Sequence, residues 1–200
     1  MTTINVQLTA HDLMGLRFAF SPIMTVATSY ALLARPDAHD AIYRPWVNEA
    51  HSALYGLEFP FLDAVIPPKN YMADFVTPTP DRRICDLEVE LNRVRTTPVE
   101  VIRANVEKLI DIHGDSEQRR MFLAYPYESM ECLIDEIQVY WKRVLAAHWD
   151  HMIPRLDDDI LRHARQLALH GADVMLNGVS PSMRYQSLLL QLDKSKSTCD

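Results

Sequence analysis

The sequence predicts a mainly α protein: a multi-helix globular bundle with a small antiparallel β element that joins the two ends of the chain. Long stretches place apolar residues at spacings of three and four, which is the pattern of a helix with one buried face. Twelve prolines and only five glycines favour helices that begin at prolines over a sheet protein with tight turns. Apolar and polar residues alternate, as they do in a strand, near the two ends of the chain.

The length and the composition are those of an ordinary globular domain. The chain has 200 residues, of which 48% are hydrophobic and 24% charged, so we expect one domain over residues 1–200. The formal net charge of -7, with Lys and Arg scattered along the chain, disfavours a domain that grips nucleic acid. The three cysteines form no CxxC pair and the amino terminus lacks the order of a signal peptide, which predicts a cytoplasmic protein.

The first elements follow from alternation and from helix caps. Residues 4–8 alternate apolar and polar side chains and predict a short strand, after which Thr9 caps a helix that reaches about Phe20. Ser21-Pro22 then opens a second helix that runs to Arg35-Pro36. The same region is the richest apolar stretch of the chain. Its interruptions at Arg17 and at Ser21-Pro22 disfavour a membrane-spanning helix.

The middle of the chain predicts a further helix around Trp46 to Tyr55, a helical turn or two in "PFLDAVI", and a long loop over residues 67–80. Four prolines in "PPKNYMADFVTPTP" prevent regular structure in that loop, while its aromatic and aliphatic residues predict that it lies against the body of the protein. The next helix carries Glu88 and Glu90, which we expect to be exposed.

The capping-box sequence "TPVE", residues 97–100, predicts a helix that ends near His113-Gly114. A longer helix follows Pro126, and its broad apolar stripe predicts that it lies at the centre of the core. The stripe consists of Met130, Leu133, Ile134, Ile137, Tyr140, Trp141, Val144 and Leu145.

The last part of the chain predicts a helix that begins at Pro154 and ends at His170-Gly171. Residues 182–193 lack helix signals and have a turn signal near Ser187, so they predict two short strands. A lone strand at residues 4–8 could not satisfy its own backbone. We therefore expect these strands to pair with it.

Two histidines are the candidate metal ligands. His148 and His151 are three residues apart, which on a helix places both imidazoles within reach of one zinc ion. The alternative is that His148, seven residues after Trp141, belongs to the packed face of the helix. The sequence has no GxSxG motif and no glycine-rich phosphate loop, so we expect neither an enzyme nor a bound cofactor.

Six segments together resemble the amino-terminal domain of ArsR-like winged-helix transcriptional regulators, which are found mainly in actinobacteria. The segments are "DLMGLRFAFSP", "YRPWVNEA", "YMADFVTPTP", "LEVELNRVRTTP", "YWKRVLAAHW" and "DDDILRHARQLALHGADVML". The resemblance covers nearly the whole chain, with the segments in order, and the segments are patterns of apolar residues, prolines and arginines rather than catalytic motifs.

The resemblance implies a bacterial regulatory domain that senses a small-molecule effector or dimerises, with a homodimer as the expected assembly. In that family a winged helix follows this domain on the carboxyl side, and this sequence stops at "LDKSKSTCD" before any such element. We therefore expect DNA binding only through a winged helix that is not present here. Metal-sensing members of the wider superfamily use Cys and His clusters on the winged helix, so the resemblance adds nothing to a metal site at His148.

A sensing domain would need a pocket between helices with aromatic walls and a few polar anchors. Arg17 is the candidate anchor because it is a charge within the most apolar stretch; the alternative is an ion pair at a helix end or between helices. Tyr71, Phe75 and Trp141 are candidate walls, with ordinary core packing as the alternative. The alternative function is a stand-alone helical enzyme that depends on a metal at His148 and His151.

Overall fold

The computed structural model describes residues 3–35, 43–80 and 82–193. Contacts between residues divide the chain into two compact units. We call residues 1–18 and 151–200 the terminal unit, and residues 19–150 the central unit. The single domain expected over residues 1–200 stays a prediction.

The central unit is helical, and α8 lies at its centre. Its helices are α2 (Pro22–Leu33), α3 (Arg44–Ala53), α4 (Pro60–Val65), α5 (Leu87–Arg95), α6 (Val99–His113), α7 (Glu117–Ala124) and α8 (Pro126–Tyr140). Helix α8 packs against α4, α5, α6 and α7, which confirms the predicted central helix. Within the loop of residues 67–80, the turn Asp74–Val76 buries Phe75 and Val76, so this loop does lie against the body.

The core of the central unit contains buried tyrosines that keep a hydrogen-bonding partner. Tyr140 is fully buried and makes edge-to-face contacts with Tyr30 and Phe59, at centroid separations of 5.3 and 6.3 Å. The Tyr30 hydroxyl donates a 2.6 Å hydrogen bond to Asp63, and burial together with this carboxylate raises the pKa of Tyr30 far above its ordinary value. The phenol therefore stays protonated and acts as a donor.

Helix α2 begins as predicted at Ser21-Pro22, and a carboxylate from another helix completes its cap. The Ser21 hydroxyl accepts from the N–H of Met24 and donates to Oε2 of Glu90 at 2.7 Å, while the N–H of Ile23 donates to the same oxygen at 3.0 Å. Glu90 is completely buried, so the expectation that it is exposed is wrong. The predicted helix end at Pro36 lies outside the described residues.

One predicted helix boundary and one predicted helix cap are wrong, each for a local reason. Helix α1 (Ala10–Met14) has the expected Thr9 cap, but it ends at Met14 instead of near Phe20. The backbone of Phe20 instead pairs with the segment at Arg83, whose carbonyl accepts from the N–H of Phe20 at 3.0 Å. Helix α6 ends at His113-Gly114 as predicted and begins at Val99, but it lacks the predicted capping box, because the Thr97 hydroxyl donates to a carbonyl at the end of α5.

The helix predicted to start at Pro154 starts earlier. A π-helical stretch, Trp141–Leu145, follows α8, and α9 (Ala146–Val179) follows it directly with Pro154 inside the helix. A proline within a helix removes one backbone hydrogen bond, but α9 continues through Pro154. Gly171 has φ 80° and ψ 176°, which interrupts the helix at the predicted stop.

The ends of the described chain meet in one antiparallel sheet, as predicted. Its strands are β1 (Thr3–Gln7), β2 (Met183–Gln186) and β3 (Leu189–Asp193), in the order β1-β3-β2. The two residues between β2 and β3, Ser187 and Leu188, both have positive φ, as in a type I′ hairpin turn. The mainly α class with a small terminal β element is confirmed.

In the part of the chain that the structure describes, no helix is both long enough and apolar enough to cross a membrane.

Candidate functional site

The four predicted ligand-binding residues are in different surroundings. Arg17 belongs to the terminal unit and is exposed, instead of anchoring a buried pocket. Tyr71, Phe75 and Trp141 belong to the central unit, where Phe75 is buried and the other two are half-buried. Each of these three has its own set of partners.

Tyr71 holds the loop of residues 67–80 onto α6. Its hydroxyl donates to Asp74 at 2.9 Å, its carbonyl lies 3.0 Å from Nε2 of His113, and Nζ of Lys108 lies 3.6 Å from the centre of its ring. Burial and the Asp74 carboxylate raise the pKa of Tyr71 to about 12. These contacts fix the loop to α6, and the phenol of Tyr71 is protonated at neutral pH.

The two other candidate walls pack in separate aromatic contacts. Phe75 packs on Phe122 at a centroid separation of 6.1 Å. Trp141 opens the π-helical stretch and meets Trp149 edge-to-face at 5.0 Å, and Trp149 in turn meets Phe20 at 6.1 Å. Short π-helical stretches are frequent at functional sites. This π-helical stretch begins with an aromatic cluster. Within the part of the chain that the structure describes, no side-chain hydrogen bond to a residue of this cluster is observed.

The two candidate metal ligands, His148 and His151, do not lie in a metal site formed by the described residues. Nε2 of His148 lies 3.2 Å from Oε1 of Glu49, an ion pair when the imidazole is protonated, and His151 is exposed. Over residues 3–35, 43–80 and 82–193, no group of three or more His, Cys, Asp or Glu side chains is placed to hold a metal ion. Of the histidines in this stretch, His163 is buried, stacked on Phe18 at 6.0 Å.

The sheet of the terminal unit has one apolar and one polar face. The register places Ile4 beside Leu192 and Met183, and Val6 beside Leu190 and Tyr185, so these six side chains share the apolar face. Residues between them, including Asn5, Gln191 and Arg184 in one row, share the polar face. The Gln191 amide donates to the Asn5 side-chain oxygen at 3.1 Å along that row.

A groove of about 750 Å³ lies along this sheet and is open to solvent. It is lined by Gln7, Asn177, Arg184, Tyr185, Gln186, Ser187, Leu189 and Gln191. Arg184 is the one charged residue in that lining, and the others are mostly amides and a hydroxyl. None of the four residues predicted from the sequence lines this groove, because the prediction looked for a pocket between helices.

The two edges of the sheet differ. At the β2 edge, the side-chain amide of Asn177 donates to the carbonyl of Tyr185 at 2.8 Å, and its oxygen accepts from the N–H of Tyr185 at 2.9 Å. At the other edge, every residue of β1 is exposed, and within the described residues β1 pairs with β3 alone. No pattern in the sequence points to Asn177, because its role depends on where the end of α9 meets β2.

Comparisons with models of known protein families, with curated proteins and with solved structures found no match.

Proposed function

We propose that this chain is the regulatory and dimerising part of a cytoplasmic, bacterial ArsR-like transcriptional regulator, and that two copies associate through the terminal unit. The resemblance of six segments supplies the family. One observation supports the dimer: the terminal unit has a small buried core and exposes several large apolar side chains.

The terminal unit buries few apolar side chains. Among its described residues, Met175, Leu176 and Tyr185 form the buried core, with partly buried residues packed around them. Its exposed large hydrophobic residues are Ile4, Val6, Met14, Leu161, Leu169, Val174 and Val179. Burying each such side chain contributes about 1.5–3 kcal/mol. A unit with more apolar side chains exposed than buried gains stability when a partner covers them.

A second copy is the partner that the regulatory function requires. Winged-helix and helix-turn-helix regulators commonly read two half-sites, and closed two-fold dimers are the commonest protein assemblies. The terminal unit holds both ends of the described chain in one sheet, so a dimer formed there would set the spacing of elements attached to the carboxyl end. In this proposal DNA is bound only by such an attached winged helix.

The oligomeric state tests this proposal. We expect the purified chain to be a dimer by sedimentation velocity across a concentration series. Ile4→Glu, on the exposed part of the apolar face, should weaken the dimer, whereas Tyr55→Glu, at a 92% exposed residue of the central unit, should not. A wild-type chain that stays monomeric contradicts the dimer. A gene whose reading frame encodes no winged helix after residue 200 contradicts the regulator.

The groove along the sheet is where we expect a small effector to bind. Its lining of amides around one arginine suits a small polar molecule with a negative charge. A thermal-shift screen with small carboxylates and phosphates tests this, because a bound ligand stabilises the folded state. Arg184→Gln should abolish any shift, and Arg165→Gln, an exposed α9 residue outside the groove, should leave it unchanged.

A further inference from the structure

Asn177 closes one edge of the terminal sheet. A side-chain amide carries a donor and an acceptor, and that of Asn177 uses both on the outward-facing backbone of Tyr185, at 2.8 and 2.9 Å. Asp193 donates to Ser182, so the backbone groups of the even residues of β2 bond to β3. Those of the odd residues, including Tyr185, therefore point away from β3. Asn177 thus occupies the place where an added strand would bond to Tyr185.

The β1 edge is open. The backbone N–H of Leu8 donates to the carbonyl of Leu188 at 2.7 Å. In the same register, the backbone groups of the even residues of β1 bond to β3. The backbone N–H and C=O groups of Thr3, Asn5 and Gln7 therefore point away from the sheet. Exposed edges in native proteins are usually protected by charged side chains or proline, and the β1 sequence "TINVQ" contains neither.

We propose that β1 pairs with β1 of a second copy in antiparallel register, with Asn5 opposite Asn5. This inference rests on the proposed dimer and names the strand that forms it. In that register Thr3 lies opposite Gln7, and the outward backbone groups of all three residues find partners. Ile4 lies opposite Val6 of the second copy on the apolar face, and the two three-stranded sheets become one of six strands.

The properties of β1 favour a second copy over a foreign chain. The whole chain carries a formal charge of -7, which opposes self-association, but β1 has no charged side chain, so pairing it with itself places no like charges opposite each other. Exposure on the apolar face also rises towards this edge, from 6% at Tyr185 to 37% at Val6 and 40% at Ile4. The two-fold pairing covers that exposed end with the identical end of the second copy.

Proline at position 5 tests the edge directly. Asn5→Pro removes a donor that points away from β3, so the β1–β3 ladder keeps its hydrogen bonds, as prolines on edge strands do. We expect it to raise the dimer dissociation constant at least about tenfold, because an interface hydrogen-bonded pair is lost. Asn5→Ala keeps the N–H and is the matched control, which should remain dimeric. Protection of the Leu190 and Leu192 amides from hydrogen exchange verifies that the proline variant retains its sheet.

A charge swap tests the register. Asn5→Lys and Asn5→Asp each place like charges opposite each other in the symmetric pair, so each variant alone should dimerise more weakly than the wild type. Mixed in equal amounts, the two variants should form a heterodimer, and added salt should weaken it.

The outcomes separate this inference from the proposed function. A dimeric wild type that loses its partner in Asn5→Pro, together with recovery in the Lys–Asp mixture, supports the pairing. A dimer that survives Asn5→Pro and both charged variants overturns the pairing and leaves the dimer in place elsewhere on the terminal unit. A monomeric wild type overturns both, and the open edge would then suit a strand from a different chain.

Discussion

Arg119 joins the carboxyl ends of two helices inside the central unit. It is buried, its Nε donates to the carbonyl of Ala64 at the end of α4 at 3.0 Å, and a terminal nitrogen donates to Gly114 after α6 at 2.6 Å. Burial lowers the pKa of Arg119 from its ordinary high value, and the arginine still remains charged. Its partners are the unsatisfied carbonyls that every helix leaves at its end.

Arg119→Ala should lower the free energy of unfolding by about 2–4 kcal/mol, because the buried carbonyl of Ala64 and the carbonyl of Gly114 lose their donor. The neighbouring Arg120 is the matched control. It is exposed and pairs with Asp115 at 2.7 Å, so Arg120→Ala should cost less than about 1 kcal/mol. Urea unfolding of both variants measures the difference, and equal losses would show that the buried bonds of Arg119 contribute nothing.

Glu136 is a half-buried carboxylate whose protonation should affect stability. It accepts from the N–H groups of Phe61 and Leu62 in the first turn of α4, at 3.2 and 2.8 Å. Burial raises the pKa of Glu136 above its ordinary value, although these two hydrogen bonds oppose the rise. The folded state therefore keeps a proton at pH values where the unfolded chain has released it, and stability falls as the pH rises through this window.

Comparison of the wild type with Glu136→Gln tests that sign, because glutamine does not titrate. The free energy of unfolding of the wild type, minus that of the variant, should decrease as the pH is raised from the ordinary glutamate pKa through the raised one. Chemical unfolding at several pH values measures it. A difference that grows with pH would mean that the hydrogen bonds from α4 outweigh burial.

At the scale of an element, successive residues of β3 form backbone hydrogen bonds alternately with β1 and with β2. Its even residues face β1 and its odd residues face β2, as the bonds from Leu8 to Leu188 and from Asp193 to Ser182 show. The alternation makes the contribution of β1 separable from that of the hairpin.

Deleting residues 1–8 should therefore speed hydrogen exchange of alternate amides in β3. We expect faster exchange at Leu190 and Leu192, whose partners are in β1, and retained protection at Gln191, whose partner is in β2. Exchange measured residue by residue by NMR checks this pattern, with Gln191 as the internal control. Unchanged exchange at Leu190 and Leu192 would contradict the pairing of the two ends.

For the whole molecule, the net charge predicts how strongly the chain binds DNA. Binding to duplex DNA requires clusters of Lys and Arg against the phosphates, and this chain has 20 such residues against 27 acidic ones. We expect weak binding without sequence preference, measured by fluorescence anisotropy in moderate salt with specific and scrambled duplexes. A sequence-specific complex at nanomolar protein would show that this chain reads DNA by itself.

The sequence by itself determined the class of fold and most of its elements. The apolar stripe of α8, the start of α2 at Ser21-Pro22 and the strands at both ends were predicted because a helix or strand with one buried face repeats its apolar residues at its own period. That signal is local, so it survives without knowledge of the neighbours. The errors at Thr97 and Pro154 concern a cap and a start signal: the Thr97 hydroxyl bonds to α5 instead of capping α6, and α9 continues through Pro154.

Only the tertiary structure decided which polar groups are buried and what they bond. Glu90 and Arg119 have charged neighbours in sequence and look like surface residues, yet each is buried against the end of a helix that lies elsewhere in the chain. Asn177 closes one sheet edge and nothing closes that of β1 among the described residues. Such contacts depend on distances between elements remote in sequence, and no period along the chain records them, because a hydrogen bond needs its two atoms within about 3 Å in space.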